Sequence, residues 1–226
     1  MLKNIFLSAV VLFFFSLSAG AQDLKFNTQA GFVFDDRFDS RFDAFNYYNG
    51  RLNGGFQWGA GLEYLVNDDY GVEINYIRQS TKVPLNYYYY GPKSQNFDAN
   101  LNYVLLGTNR YFDVDSKMIK PFFGAQVGLV VVNWSNPYSI SPDNHYNGSG
   151  NITKFAWGAK TGTEVWFTDA IGLKLQAQLL SAVQSVGGGF YFGTGGSGAG
   201  LSANSSIFQF ALGGGLTFKL SHDKKK

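Results

Sequence analysis

The chain of 226 residues has no cysteine, two histidines and a formal net charge of only +2. Without cysteine there are no disulfides, no thiolate zinc sites and no lipidated residue at a cleavage site. The small net charge does not point to a nucleic-acid partner. Only one apolar run is long enough to draw notice, Ile5 to Leu17 near the N-terminus. It falls short of the ~20 residues of a spanning helix. Lys3 before it and Ala19-Gly20-Ala21 after it mark a signal peptide over residues 1–21, with one domain in 22–226. Any other membrane crossing must be made by strands.

What the chain has in quantity is aromatic residues, 18%, and glycine, 28 residues. Both favour strands and turns over helices. The mean hydropathy of −0.10 shows apolar residues dispersed rather than blocked. Their dispersal has a period of two. Phe56, Trp58, Ala60, Leu62 and Tyr64 alternate with Gln57, Gly59, Gly61 and Glu63, as on a strand whose faces differ. About eight such strands are read: Leu24–Phe34, Gly55–Val66, Tyr70–Gln79, Phe97–Phe112, Ile119–Asn133, Ile152–Phe167, Ile171–Val183 and Ser206–Leu220. The links between them alternate in length. Those at Asn67–Asp69, Asp113–Lys117 and Thr168–Ala170 are tight. Those at Asp35–Asn53, Ser80–Asn96, Trp134–Asn151 and Gln184–Ser205 are long. The expected fold is therefore all-β, an eight-stranded antiparallel up-and-down transmembrane β-barrel in a Gram-negative outer membrane.

Charge placement sharpens this expectation. Lys25, Glu63, Glu73, Asp98, Arg110, Lys120, Lys154, Lys160, Glu164, Lys174 and Lys219 are all read on the face opposite the bulky apolar residues; Arg78 is the exception. A lipid-facing Arg or Lys at mid-depth costs about 2–4 kcal/mol, so a lipid-facing surface would exclude them. A soluble barrel would also alternate, but glycine on the polar face suits a narrow interior. Aromatics at strand ends (Phe26, Tyr64, Tyr111, Phe167, Phe218) suit interfacial girdles. Glu63, Glu73, Arg110, Lys160, Glu164, Lys174 and Lys219 are expected to form a charge network in the lumen. An eight-stranded barrel is only wide enough for its own side chains. Val104, Leu106, Val130, Val132 and Trp166 are expected to obstruct its middle.

The chain resembles the small outer-membrane β-barrel proteins of Bacteroidota-type bacteria, and more distantly the OmpX, OmpA and OmpW barrels. The resemblance rests on the Gln22 start after Ala21, on Lys120-Pro121-Phe122-Phe123-Gly124-Ala125 opening a strand, and on the Gly213–Leu220 ending. It implies a porin-like or PorT-like annotation and specifies architecture more than activity. The ending resembles a C-terminal insertion signal read by the barrel-assembly machinery, although Ser221-His222-Asp223 and three lysines follow it.

The long links are rich in aromatics: Phe38, Phe42, Tyr47 and Tyr48 in the first, Tyr87, Tyr88, Tyr89 and Tyr90 in the second, and Phe190, Tyr191 and Phe192 in the fourth. Such residues are expected either to extend the barrel and pack on each other or to contact an extracellular ligand, lipopolysaccharide or sugar. No metal or other cofactor is expected, since Arg37 and Arg41 are interleaved with Asp35, Asp36, Asp39 and Asp43. His145, near Ser139 and Ser141, is the one candidate base for a lipid-modifying enzyme, without a nucleophile elbow to support it. The sequence reading is thus a monomeric, non-enzymatic barrel with a packed lumen and a structural or surface-interaction role. Its partners are outer-membrane lipid and the assembly machinery, without nucleic acid. The alternative is a narrow passive channel or hydrophobic-solute conduit.

Overall fold

The computed structural model describes residues 24–41, 47–88, 92–116, 118–135, 149–182, 190–193, 196–199 and 207–220. Side chains are described within these outside 38–41, 47–50, 85–88, 92–95, 190–193 and 196–199. Residues 1–23, Phe42, Tyr89, Tyr90, both histidines and the lysine tail lie outside the described residues.

Twelve strand segments follow in order: β1 (Leu24–Val33), β2 (Asp36–Arg41), β3 (Tyr47–Leu52), β4 (Gly55–Leu65), β5 (Tyr70–Tyr88), β6 (Pro92–Tyr111), β7 (Ile119–Ser135), β8 (Ser149–Trp166), β9 (Ile171–Ala182), β10 (Phe190–Gly193), β11 (Gly196–Ala199) and β12 (Ile207–Lys219). Eight of them form the wall, in the cyclic order β1, β4, β5, β6, β7, β8, β9, β12. Every neighbouring pair is antiparallel, and β1 against β12 closes the ring. Closure leaves no free sheet edge in the spanning region, which hydrocarbon requires because it cannot hydrogen-bond an open edge.

The tight turns have local causes. Asn67 Oδ1 accepts the N–H groups of Asp69 (3.0 Å) and Tyr70 (2.9 Å). Thr168 Oγ1 does the same for Ala170 and Ile171, at 3.3 and 3.0 Å. Short polar side chains that bond the backbone two or three residues on are what such reversals favour.

The long links hold more strand than the sequence reading expected. β5 runs on past Gln79 to Tyr88, and β6 begins at Pro92, so their ladder continues unbroken from Ser80↔Asn100 to Tyr88↔Pro92. Polar residues at 94–96 read as loop, but a backbone ladder outside hydrocarbon needs no greasy outer face. β2 and β3 likewise pair with each other, and β3 carries on up the side of β5 through Tyr48↔Tyr87.

The surface is inverted relative to a soluble protein. Phe32, Phe56, Leu106, Val127 and Leu129 are each more than half exposed on the outside, while Glu63 and Glu164 are fully buried and Lys25, Lys160 and Lys174 nearly so. Apolar side chains facing out in a closed barrel, with charges inside, are stable only where hydrocarbon surrounds the wall.

One stave departs from the expected parity. In β6, Leu101, Tyr103, Leu105 and Tyr111 were expected to face lipid, but all four are buried in the lumen. Asp98 and Arg110 face outward, as do Val104 and Leu106. The two tyrosines explain the choice. Tyr111 Oη donates to Glu63 and Glu164, and Tyr103 Oη to Gln209, so each ring fills lumen space while its hydroxyl meets a polar partner. Val104 and Leu106 therefore do not obstruct the lumen, and Tyr111 is not part of a girdle; Leu101, Tyr103 and Leu105 provide the obstruction.

Candidate functional site

The inner end of the lumen, near the tight turns, is an ionic cluster built from six strands. Inward positions on β1, β4, β5, β8 and β9 supply Lys25, Glu63, Glu73, Lys160, Glu164 and Lys174, and β6 supplies Asn109 and Tyr111. Glycines on the same face make room for these long side chains. A Cβ at Gly61 would stand 2.7 Å from Glu73 Oε1, and one at Gly71 would meet Glu63 Oε1.

Each carboxylate is heavily bonded. Glu63 accepts from Asn27 (3.1 Å), Asn109 (2.7 Å) and Tyr111 (2.7 Å). Glu73 accepts from Asn27 (2.9 Å), Asn109 (3.2 Å) and the ammonium of Lys160. Glu164 accepts from Lys25 at 2.9 Å and Tyr111 at 3.0 Å. Lys174 is the hub: its Nζ lies 3.7, 4.0 and 3.7 Å from the carboxylates of Glu63, Glu73 and Glu164 and 4.7 Å from the centre of the Phe122 ring. Three ammonium groups face three carboxylates. That balance is what allows six ionised groups to stay out of water.

Of the residues expected in this network, the structure brings together Glu63, Glu73, Lys160, Glu164 and Lys174. Lys219 lies beside it on the inward face of β12, with its Nζ 4.5 Å from the Trp166 ring. Arg110 does not belong to it. Its guanidinium points outward, 5.7 Å from the Tyr70 ring and 5.3 Å from the Phe112 ring, where it reaches the inner interface between two aromatics. Lys25, Asn27, Asn109 and Tyr111 complete the cluster. Lys25 carried a sequence signal in its parity, whereas the two asparagines and the tyrosine looked like ordinary strand residues.

Toward the middle, the lumen is lined by amides. Gln176 donates to Gln29 at 2.5 Å, and Gln57, Gln79, Gln126, Gln178 and Gln209 are all buried. The cavity among Asn27, Gln29, Glu73, Asn75, Lys174 and Gln176 measures about 10 Å³, at the lower bound for a single water. Further out, Ile77, Leu101, Tyr103, Leu105, Val130 and Leu180 pack into an apolar layer that closes the bore. Val130 and Trp166 lie inside, as expected.

Above that layer, at the outer mouth, is a wholly apolar cup of about 340 Å³. Leu101 and Ala99 form its floor, and Leu52, Val83, Val132 and Ile207 its sides. At its rim Phe97 and Trp134 meet edge to face at 5.9 Å. The rim is braced where β1 passes into β2 and β3 into β4. There Asp35 accepts the Gly54 N–H at 2.7 Å and pairs with Arg51 at 3.3 Å. Asp36 accepts the N–H of Phe208 at 2.8 Å.

The aromatic crown is only partly placed. Phe38 lies in β2 across from Gly50, Tyr47 lies in β3 across from Arg41, and Tyr48 stands opposite both Ser40 and Tyr87. Tyr88 pairs with Pro92 at the tip of the β5–β6 hairpin, and Phe190, Tyr191 and Phe192 form β10 against β11. Among the described residues no group of acidic or histidine side chains is arranged to hold a metal ion.

No protein-family model matches the chain, and no curated protein does. Solved structures do. The chain is similar to the outer membrane protein OprG from Pseudomonas aeruginosa, with 12% identity over 89% of this chain and 97% of that one and a TM-score of 0.53. It is also similar to Neisserial surface protein A, with 17% identity, 86% and 97% coverage and a TM-score of 0.49. The outer membrane protease OmpT from Escherichia coli matches with 6% identity, 89% and 98% coverage and a TM-score of 0.46. At such identities the likeness is one of fold. The architecture is that of a small outer-membrane barrel, and its greasy exterior places it in that membrane.

Proposed function

We propose that this is a monomeric, non-enzymatic outer-membrane barrel, closed to ions, whose role is structural and whose contacts are made at its outer surface. The proposal takes residues 1–21 as a cleaved signal peptide and the Gly213–Leu220 ending as the region read by the assembly machinery. It takes the Lys120–Ala125 strand opening as the mark of a Bacteroidota-type barrel. Lipopolysaccharide and an extracellular ligand would meet the aromatic crown.

The observation that carries the reading is the filled bore. Ionic, amide and apolar layers succeed one another from the inner to the outer end, and the cavity among Asn27, Gln29, Glu73 and Lys174 is only about 10 Å³. Conductance of the refolded full chain in planar bilayers tests it. Traces without steps above background are expected; discrete steps that vanish in a Glu63→Gln variant would replace this reading with that of a gated pore.

The outer cup favours a second reading, uptake or sensing of hydrophobic solutes. A water-exposed cavity lined only by apolar side chains gains free energy from any apolar occupant of matching size. Fluorine NMR of fluorobenzene with the refolded barrel should show a bound resonance that disappears in a Leu101→Asn variant. Equal signals from both proteins would remove this reading.

A further inference from the structure

The outward face of the wall is not uniform at its outer edge. On β1, β4 and β12 it is aromatic: Phe32 and Phe34 meet edge to face at 5.6 Å, Phe34 stacks on Phe210 at 5.7 Å, and Phe56 is 64% exposed. On β5 and β6 it is polar. Arg78, Ser80 and Lys82 alternate outward along β5, opposite Asn102, Asn100 and Asp98 of β6. Arg78 and Lys82 are both exposed, and neither forms an ion pair among the described residues. Asp98 faces Lys82 across the ladder and offsets part of its charge, so Arg78 is the dominant cation.

Depth identifies what these cations meet. Tyr70 marks the inner interface on β5, where Arg110 packs against it. From there to Arg78 is roughly eight residues, which at ~3.3 Å each and a tilt of ~40° rise about 20 Å. Lys82 lies about 30 Å from Tyr70 by the same count. The apolar band of an outer-membrane barrel is ~25 Å tall, so the two cations bracket its outer boundary. Trp58 stands directly across from Arg78, and its ring meets Tyr76 edge to face at 5.9 Å. Tyr76 Oη donates to Asn102 Oδ1 at 2.9 Å, and Ser80 Oγ to Asn100 Oδ1 at 2.7 Å. The patch therefore combines a guanidinium and an indole at the level of Arg78 with an ammonium about 10 Å further out, the Asn100 amide standing between them.

We propose that this β4–β5–β6 face holds the phosphorylated headgroup of an outer-leaflet lipid. Arg78 makes the bidentate phosphate contact, Lys82 adds a second charge, and Trp58 covers the sugar or the first methylenes. A guanidinium is suited to this because its fork matches two phosphate oxygens, and at the edge of hydrocarbon the bonds are little weakened by water. The proposal rests on the reading of the long links as the outer end. Its test is independent of whether the barrel conducts.

The full barrel is reconstituted in phosphatidylcholine nanodiscs containing a small fraction of diphosphoryl lipid A, and the lipid A retained per barrel is counted by native mass spectrometry. The wild type should retain it about tenfold over a dephosphorylated analogue, the preference expected of two solvent-accessible ion pairs. Arg78→Gln with Lys82→Gln should abolish that preference. Arg78→Lys should keep part of it, and Arg110→Gln, at the opposite interface, should keep all of it. The heat-induced gel shift of each variant reports whether it has folded, and the single Arg78→Gln change stands in should the double variant fail to fold. Unchanged retention in the folded glutamine variants would overturn the proposal. Displacement of lipid A by inorganic pyrophosphate at equal concentration would also overturn it, since the site would then recognise free phosphate rather than a lipid.

Discussion

At the inner end of the lumen, three lysines and three glutamates are held out of water by one another; at the outer end, the same inward-facing side of the wall carries Ile77, Leu101, Leu105 and Val130. The two ends are buried by different physics. In the inner cluster each group is indispensable to its partners, because a buried charge left without its counterpart is costly. In the outer layer the aliphatic residues have no specific partner, and the cost of a loss is set by the space left behind. The inner end should therefore fail as a unit, the outer end residue by residue.

The largest effect that would sharpen this contrast is expected at Lys174. Lys174→Met removes the ammonium shared by three carboxylates and should lower stability by about 3–5 kcal/mol, measured by urea unfolding of the refolded barrel. Adding Glu63→Gln to it should restore part of the loss, because the double change removes both signs. If the double variant is as unstable as the sum of the two single ones, the cluster is not a coupled unit. Next in size is the outer layer. Leu101→Ala should cost about 2–4 kcal/mol and enlarge the cup whose floor it forms. Combined with Lys174→Met its cost should simply add, since the two sites share no partner.

The sequence showed one of these ends more clearly than the other. Ionised residues on a strand announce their face, since lipid would reject them; the parities of Glu63, Glu73, Lys160, Glu164 and Lys174 were legible for that reason. The tight turns were legible too, because Asn67 and Thr168 act on backbone within three residues of themselves. The outer layer was not. Leu101, Tyr103 and Leu105 alternate with Asn100, Asn102 and Val104, a pattern that reads as greasy side out. Whether such a face meets lipid or the core of a plugged barrel depends on what the other seven staves bring to the axis, and no local pattern encodes that. The same misreading put Arg110 in the lumen. The long links concealed strand for a related reason: in water, above the membrane, a ladder leaves no hydrophobic signature.

Arg110 gives the smallest expected effect and the cleanest separation of inside from outside. It sits one residue from Tyr111 and Asn109, both bonded to Glu63, yet its own guanidinium lies outside the wall against Tyr70 and Phe112. A lumen residue so close to the ionic hub would cost several kcal/mol to neutralise. An outward one at the interface forfeits its contacts with the Tyr70 and Phe112 rings, so Arg110→Gln should change stability by less than about 1 kcal/mol. Asn109→Leu, its neighbour in sequence, removes a donor to two buried carboxylates and should cost about 2–3 kcal/mol. A larger cost at Arg110 than at Asn109 would show that β6 carries its even-numbered residues inward, and the division of the lumen into an ionic and an apolar end would fall with it.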